Sequence, residues 1–231
     1  MPMKTKKIRP RVKVCCISSI EEAWMAINTG ASAVGLVGPM PGGPGVIPDT
    51  LIYKISQAVP PPIATFLLTS ETSADKIIKH HMKTRTNTIQ IVDAVPMETY
   101  SVLREAMPTV KLVQVIHVLD NRSIEQAIEI SGFVDAILLD SGNPNLAIKE
   151  FGGTGRVHDW RLSRKIRDSI HIPVFLAGGL KPGNVRQAID EVQPFGLDVC
   201  SGVRTNGKLD KSKLDMFFAE AFSLDTDSQG F

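Results

Sequence analysis

Cysteine is scarce. The 231 residues contain three, Cys15, Cys16 and Cys200. Cys15 and Cys16 are adjacent, poor geometry for an ordinary bridge, and no C-x-x-C pair offers a redox or zinc site. A disulfide framework is thereby excluded, and the composition suits a reducing cytoplasm. The five histidines show no H-E-x-x-H or similar ligand spacing, so no protein-bound metal is expected. No run approaches the roughly 18 apolar residues that a membrane helix needs. No apolar segment follows the basic start, which excludes a secretory signal there. Charge of one sign is also lacking. The formal balance is +2, too small to indicate a nucleic-acid partner. Lys4, Lys6, Lys7, Arg9 and Arg11 cluster at the start and read as a solvated leader, residues 1–11.

What is present is alternation. Short β-branched runs bounded by Gly, Pro, Asn or Asp fall at 12–17, 32–37, 62–68, 87–92, 110–117, 133–140, 172–177 and 196–201. Helix-period segments lie between and after them, at 19–29, 48–58, 72–84, 96–106, 122–131, 157–169, 182–192 and 210–222. Ser19 before Ile20-Glu21-Glu22 is a helix start, Gly30 a stop, and Pro48 and Pro182 suit a first turn. Eight strand–helix units in strict order imply a parallel sheet with right-handed crossovers. In a chain of this length they close into a single (β/α)₈ TIM barrel of class α/β, over residues 12–222, with a tail at 223–231. An open doubly wound sheet often carries a phosphate turn after its first strand. Here Cys15-Cys16-Ile17-Ser18 follows instead, with no G-x-G-x-x-G.

Active residues in such a barrel stand at the C-terminal ends of strands. Side chains alternate across a strand, so Lys13 and Cys15 point inward if Val12 and Val14 face the helices. A buried lysine needs a partner. Asp198, inward on the eighth strand beside the first, supplies one and makes a structural pair. Cys15, higher in the barrel, is a candidate for catalysis. Asp140 ends the apolar run of strand six and is a second candidate. Gly178 and Gly179 follow strand seven, and Ser201 and Gly202 follow strand eight. Barrels commonly bind phosphate between these two loops, where glycines let backbone amides approach the oxygens. Gly152, Gly153, Thr154 and Gly155 form a long glycine-rich loop that reads as a mobile cover for substrate. Trp160 reads as core packing.

In this order the motifs are Val-Lys-Val-Cys at 12–15, Leu-Leu-Asp at 138–140, Gly-Gly-Thr-Gly at 152–155 with Asp159-Trp160, and Leu-Ala-Gly-Gly-Leu at 176–180. Pro182, Asn184-Val185 and Asp198 before Ser201-Gly202-Val203 complete the set. The chain resembles the phosphoribosylanthranilate isomerase family of tryptophan biosynthesis from Val12 to about Phe218. The resemblance implies a barrel without a cofactor, acting on a phosphorylated small molecule by an Amadori rearrangement of an aminoaldose to an aminoketose. It puts the general base on Cys15, the general acid on Asp140 and the phosphate site on Gly178, Gly179, Ser201 and Gly202. The acid opens the sugar ring to a Schiff base, and the base removes the C2′ proton. An Asp donates only if an apolar setting raises its pKa. A Cys accepts only as thiolate, which nearby positive charge favours; Lys13 is one source.

The sequence departs from the family at three places. Cys16 stands where glycine is usual. The loop Gly38–Gly45 has Pro44 where an Arg normally meets the substrate carboxylate, and no cation replaces it. Strand four ends in Asp93, a negative charge near the mouth. Arg204 and Arg156 are the candidates for the missing charge. Two other readings stay open. One is a lyase or a phosphosugar isomerase with another substrate, and the other is a non-catalytic phosphate-binding barrel. The family includes monomers and dimers, and a homodimer is the expectation here.

Overall fold

A computed structural model of the chain describes residues 9–142 and 157–223. Eight strands, β1 (Arg11–Val14), β2 (Ala33–Val37), β3 (Ala64–Thr69), β4 (Thr88–Ile91), β5 (Lys111–His117), β6 (Ala136–Asp140), β7 (Val174–Leu176) and β8 (Gly196–Val199), pair in parallel. They form a closed barrel in sequence order, with β8 returning to β1. The helices α1 (Ile20–Thr29), α2 (Asp49–Ala58), α3 (Ala74–Thr84), α4 (Met97–Ala106), α5 (Arg122–Ile130), α6 (Trp160–Ser169), α7 (Pro182–Val192) and α8 (Lys211–Phe222) follow one per strand. This is the (β/α)₈ architecture that the alternation implies. No helix among the described residues is long and apolar enough to cross a membrane.

The pleat divides the strand residues between two cores. Val12, Val14, Val34, Leu36, Ile89 and Leu197 are among those that pack outward against the helices. Ala33, Val37, Phe66, Leu68, Val113, Leu138 and Phe175 fill the barrel interior. Phe66 and Phe175 meet edge to face at 6.0 Å in that interior, a favoured aromatic geometry. Each fully buried Leu, Ile or Val contributes roughly 1.5–3 kcal/mol. Ser19 caps α1 by accepting from the Glu22 N–H, and Gly30 ends it at φ 116.

Some element ends differ from the sequence reading. The first strand stops at Val14, three residues short of the expected end at 17. The Cys15 N–H still reaches Val199 O at 2.8 Å, but Cys16 then turns into the left-handed region at φ 61. Helix α6 begins at Trp160 rather than 157, because the Asp159 side chain caps it. After β8 comes a 3₁₀ turn, Ser201–Val203, and a small hairpin of β9 (Arg204–Thr205) and β10 (Lys208–Leu209) that periodicity gives no sign of. Within the leader, Arg11 opens β1, while Lys4, Lys6 and Lys7 lie outside the described residues.

Candidate active site

The inward alternation of β1 and β8 brings Lys13 opposite Asp198, which are register partners. The Lys13 Nζ lies 2.8 Å from Asp198 Oδ1, fully buried, and 5.3 Å from the centre of the Phe66 ring. Burial opposes the ammonium, but Asp198 and Cys15 together outweigh it and hold Lys13 protonated. One step up each strand, Cys15 and Cys200 line the floor and wall of a pocket at the C-terminal mouth. With its mouth included, the pocket measures about 660 Å³.

Asp140 reaches the same pocket from β6, across the barrel from Cys15. Burial pushes its carboxyl up to about 6, and the charge of Asp198 adds to that. Backbone N–H groups of Ser141 and Gly142 and the Lys13 ammonium limit the rise. The Cys15 thiol is held below its usual range, first by a hydrogen bond from Cys16 and then by Lys13, against its own burial. Cys16 is pushed well above the usual thiol range through its contacts with Cys15 and Cys200. It therefore stays protonated, and its one S–H has the Cys15 sulfur and, at 3.6 Å, Pro44 O within reach. The pocket thus places a carboxyl poised to donate opposite a thiol biased toward thiolate.

Gly178, Gly179 and Ser201 line the adjoining rim. Gly178 and Gly179 adopt φ 85 and 64, a region that favours glycine. A Cβ on Gly202 would fall 1.9 Å from Leu180 O. Only glycine therefore lets the loop after β8 close against the loop after β7. A Cβ on Gly178 would meet Ser141 at 2.9 Å and His158 Nδ1 at 3.1 Å. His158 is half-buried behind that turn, with Nε2 2.6 Å from Ser163 Oγ. Its burial lowers the imidazole to about 4, so the ring is neutral at physiological pH.

The structure corrects one assignment. Arg204 is not available to a substrate carboxylate. Its guanidinium pairs with Glu22 at 3.1 Å and donates to the carbonyls of Cys15 at 3.1 Å and Cys16 at 2.6 Å. Glu22 is itself held by the N–H groups of Ser18 and Leu209. The pair fixes the turn that carries the two cysteines, so its role is to brace the site. Asp93 is not among the residues lining the pocket. Its carboxylate accepts from the Ala94 N–H, and its carbonyl from Gln114 Nε2. Gly152, Gly153, Thr154, Gly155 and Arg156 lie outside the described residues. Met40, Gly43 and Pro44 of the loop after β2 form one wall, and no lining side chain among the described residues is cationic.

Sequence reasoning passed over Cys200, Gln90 and His158. The first two had a signal: Cys200 stands two residues beyond inward-facing Asp198, and Gln90 faces inward within β4. His158 carried none, because its burial depends on how α6 docks.

The sequence model of the family described as PRAI, N-(5'phosphoribosyl)anthranilate (PRA) isomerase, matches residues 12–220. An N-(5'-phosphoribosyl)anthranilate isomerase of Methanosarcina mazei is 37% identical over 213 residues, 91% of this chain and 93% of that protein. The crystal structure of the phosphoribosyl anthranilate isomerase of Thermotoga maritima superposes with a TM-score of 0.79 at 32% identity, over 92% of this chain and 98% of that one. A phosphoribosyl anthranilate isomerase in complex with reduced 1-(o-carboxyphenylamino)-1-deoxyribulose 5-phosphate superposes at 0.76 with 30% identity, again over 92% and 98%.

Proposed function

Because this chain belongs to the N-(5'-phosphoribosyl)anthranilate isomerase family, we propose that it converts N-(5'-phosphoribosyl)anthranilate to the aminoketose 1-(o-carboxyphenylamino)-1-deoxyribulose 5-phosphate, without a cofactor. Asp140 protonates the furanose ring oxygen and opens the sugar to a Schiff base. Cys15, as thiolate, takes the C2′ proton to give the enolamine, which becomes the ketone. The 5-phosphate sits against the amides of Gly178, Gly179, Ser201 and Gly202. The observation that carries this reading is the opposition of the raised Asp140 carboxyl and the lowered Cys15 thiol across one pocket.

Lys13 assists from below. Its ammonium favours the Cys15 thiolate while Asp198 keeps it paired. The same pairing argues against a Schiff-base lyase, which needs a free amine. The test is turnover of phosphoribosylanthranilate by the pure protein. Cys15→Ala and Asp140→Asn should each lower kcat by about 10²–10⁴. Turnover that survives both substitutions would remove these assignments.

A second reading follows from the loop after β2. Pro44 and the lack of a lining cation among the described residues favour a substrate whose amine part carries no carboxylate. Comparing kcat/KM for phosphoribosylanthranilate with that for an N-phosphoribosyl aniline separates the two. We further propose a homodimer in the cytoplasm. The Thermotoga maritima relative has been described as dimeric, and three free thiols suit a reducing compartment.

A further inference from the structure

Three thiols meet where the β1–β8 seam ends. Cys15 and Cys200 directly follow the last ladder pair, Val14 and Val199, and the Cys15 N–H extends the ladder to Val199 O at 2.8 Å. Both line the pocket. The ladder pair that they follow belongs to strands about 4.8 Å apart, so the two cysteines leave the sheet from a separation inside the roughly 4.4–6.8 Å Cα span of a disulfide. Cys16 bends over them through its left-handed backbone. It shares the apolar cluster of Cys15, against which Cys200 also packs. No other cysteine exists in the chain, so every sulfur nucleophile of the protein faces this one cluster.

We propose that the cluster is an oxidation site, in which a hydroperoxide converts Cys15 to a sulfenic acid and Cys200 resolves it to a Cys15–Cys200 disulfide. In the first step the Cys15 thiolate attacks the terminal oxygen of the hydroperoxide. The S–O bond forms, the O–O bond breaks, and the departing alkoxide takes a proton to become an alcohol. In the second step the Cys200 thiolate attacks the Cys15 sulfur. The S–S bond forms, the S–O bond breaks, and hydroxide leaves as water after taking a proton. Two thiols lose two electrons and two protons, and the hydroperoxide is reduced to alcohol and water.

The thiolate is the reactive form of cysteine, and Cys15 has the strongest bias toward it through Cys16 and Lys13. Cys16 is held as thiol and is joined to Cys15 by a single peptide bond, which makes it a poor resolving partner. Cys200 is only half-buried and can approach.

The thiol chemistry stands independently of the isomerase reading. Only the accompanying loss of activity rests on Cys15 as catalytic base. The experiment treats the reduced full-length protein with one equivalent of hydrogen peroxide and follows intact mass, linked peptides and turnover together. The mass should fall by two hydrogens, and a linked peptide should join Cys15 to Cys200. Turnover should drop in parallel by tenfold or more and return with dithiothreitol. Cys200→Ser should instead add one oxygen at Cys15, and a second equivalent of peroxide should carry it to a sulfinic acid from which dithiothreitol no longer restores activity. Oxygen addition without the two-hydrogen loss, a linkage between two chains, or a reducible internal linkage persisting in Cys200→Ser would each overturn the proposal. Disulfide formation with undiminished turnover would uphold the oxidation site and remove Cys15 from the isomerase mechanism.

Discussion

A carboxyl group that must donate a proton near neutral pH cannot sit in open water, where its pKa is about 4. Asp140 escapes by burial, which raises it to about 6. The sign for stability follows. A raised carboxyl binds its proton more tightly folded than unfolded, so stability falls as pH rises from the ordinary carboxylate range through about 6 and then levels off. Asp140→Asn removes that deficit while abolishing the acid. It should be more stable than the parent at pH 8 by up to about 3 kcal/mol, with the difference closing below pH 4, as urea titrations at the two pH values will show. In the parent, kcat/KM should decline above about pH 6 as Asp140 deprotonates. A residual rate in Asp140→Asn should lack that limb. Cys15, Lys13 and Asp198 were legible in the sequence, because period-two alternation assigns a strand residue to one face without further information, and Asp140 because it ends an apolar run at the C-terminal end of a strand. Arg204 was not. Its partner Glu22 lies 182 residues away on the outer helix layer, and no local pattern links them.

At the scale of elements, the seam of β1 and β8 and the two loops above it hold the site together. Lys13→Met would leave the Asp198 carboxylate buried and unpaired, at a cost of about 3–5 kcal/mol. Replacing both residues, as in Lys13→Met with Asp198→Leu, should cost less than the sum of the single changes. A double-mutant cycle by thermal or urea unfolding measures the difference. Gly202→Ala tests the closure of the loops. Its Cβ would strike Leu180 O, forcing the β7 and β8 loops apart. KM for the phosphorylated substrate should rise by tenfold or more, with a smaller change in kcat. Steady-state kinetics distinguishes this from a loss of chemistry. The middles of all eight strands and helices were readable from apolar periodicity, but their ends were not. Strand β1 stops early because the backbone of Cys16 turns left-handed, a property of the packed turn under Gly45 and Arg204. The β9–β10 hairpin is two residues a side, too short to show any period.

For the molecule as a whole, closure is the main structural fact. Helix α8 packs against both α7 and α1 and so joins the end of the outer ring to its beginning. Phe217 is completely buried there, and Phe218 lies 3.4 Å from where a Cβ on Gly30 would stand. Phe217→Ala should cost about 3–5 kcal/mol. If the ring behaves as one cooperative unit, chemical denaturation will still show a single transition at lower denaturant, detected alike by fluorescence and circular dichroism. The architecture was legible because eight repeats of one pattern leave few topologies to choose among. The detail of the pocket was less so, because the side chains that shape it come from strands far apart in the chain.

The ion pair inside the barrel has a consequence for assembly. Lys13 lies on the first barrel strand and Asp198 on the last, so the lysine meets its counter-charge only when the sheet closes on itself. An ammonium of this kind is costly to place in an apolar interior alone, so β1 gains little from burial until β8 lies beside it. The pair therefore favours the closed barrel over any sheet in which the first and last strands are apart.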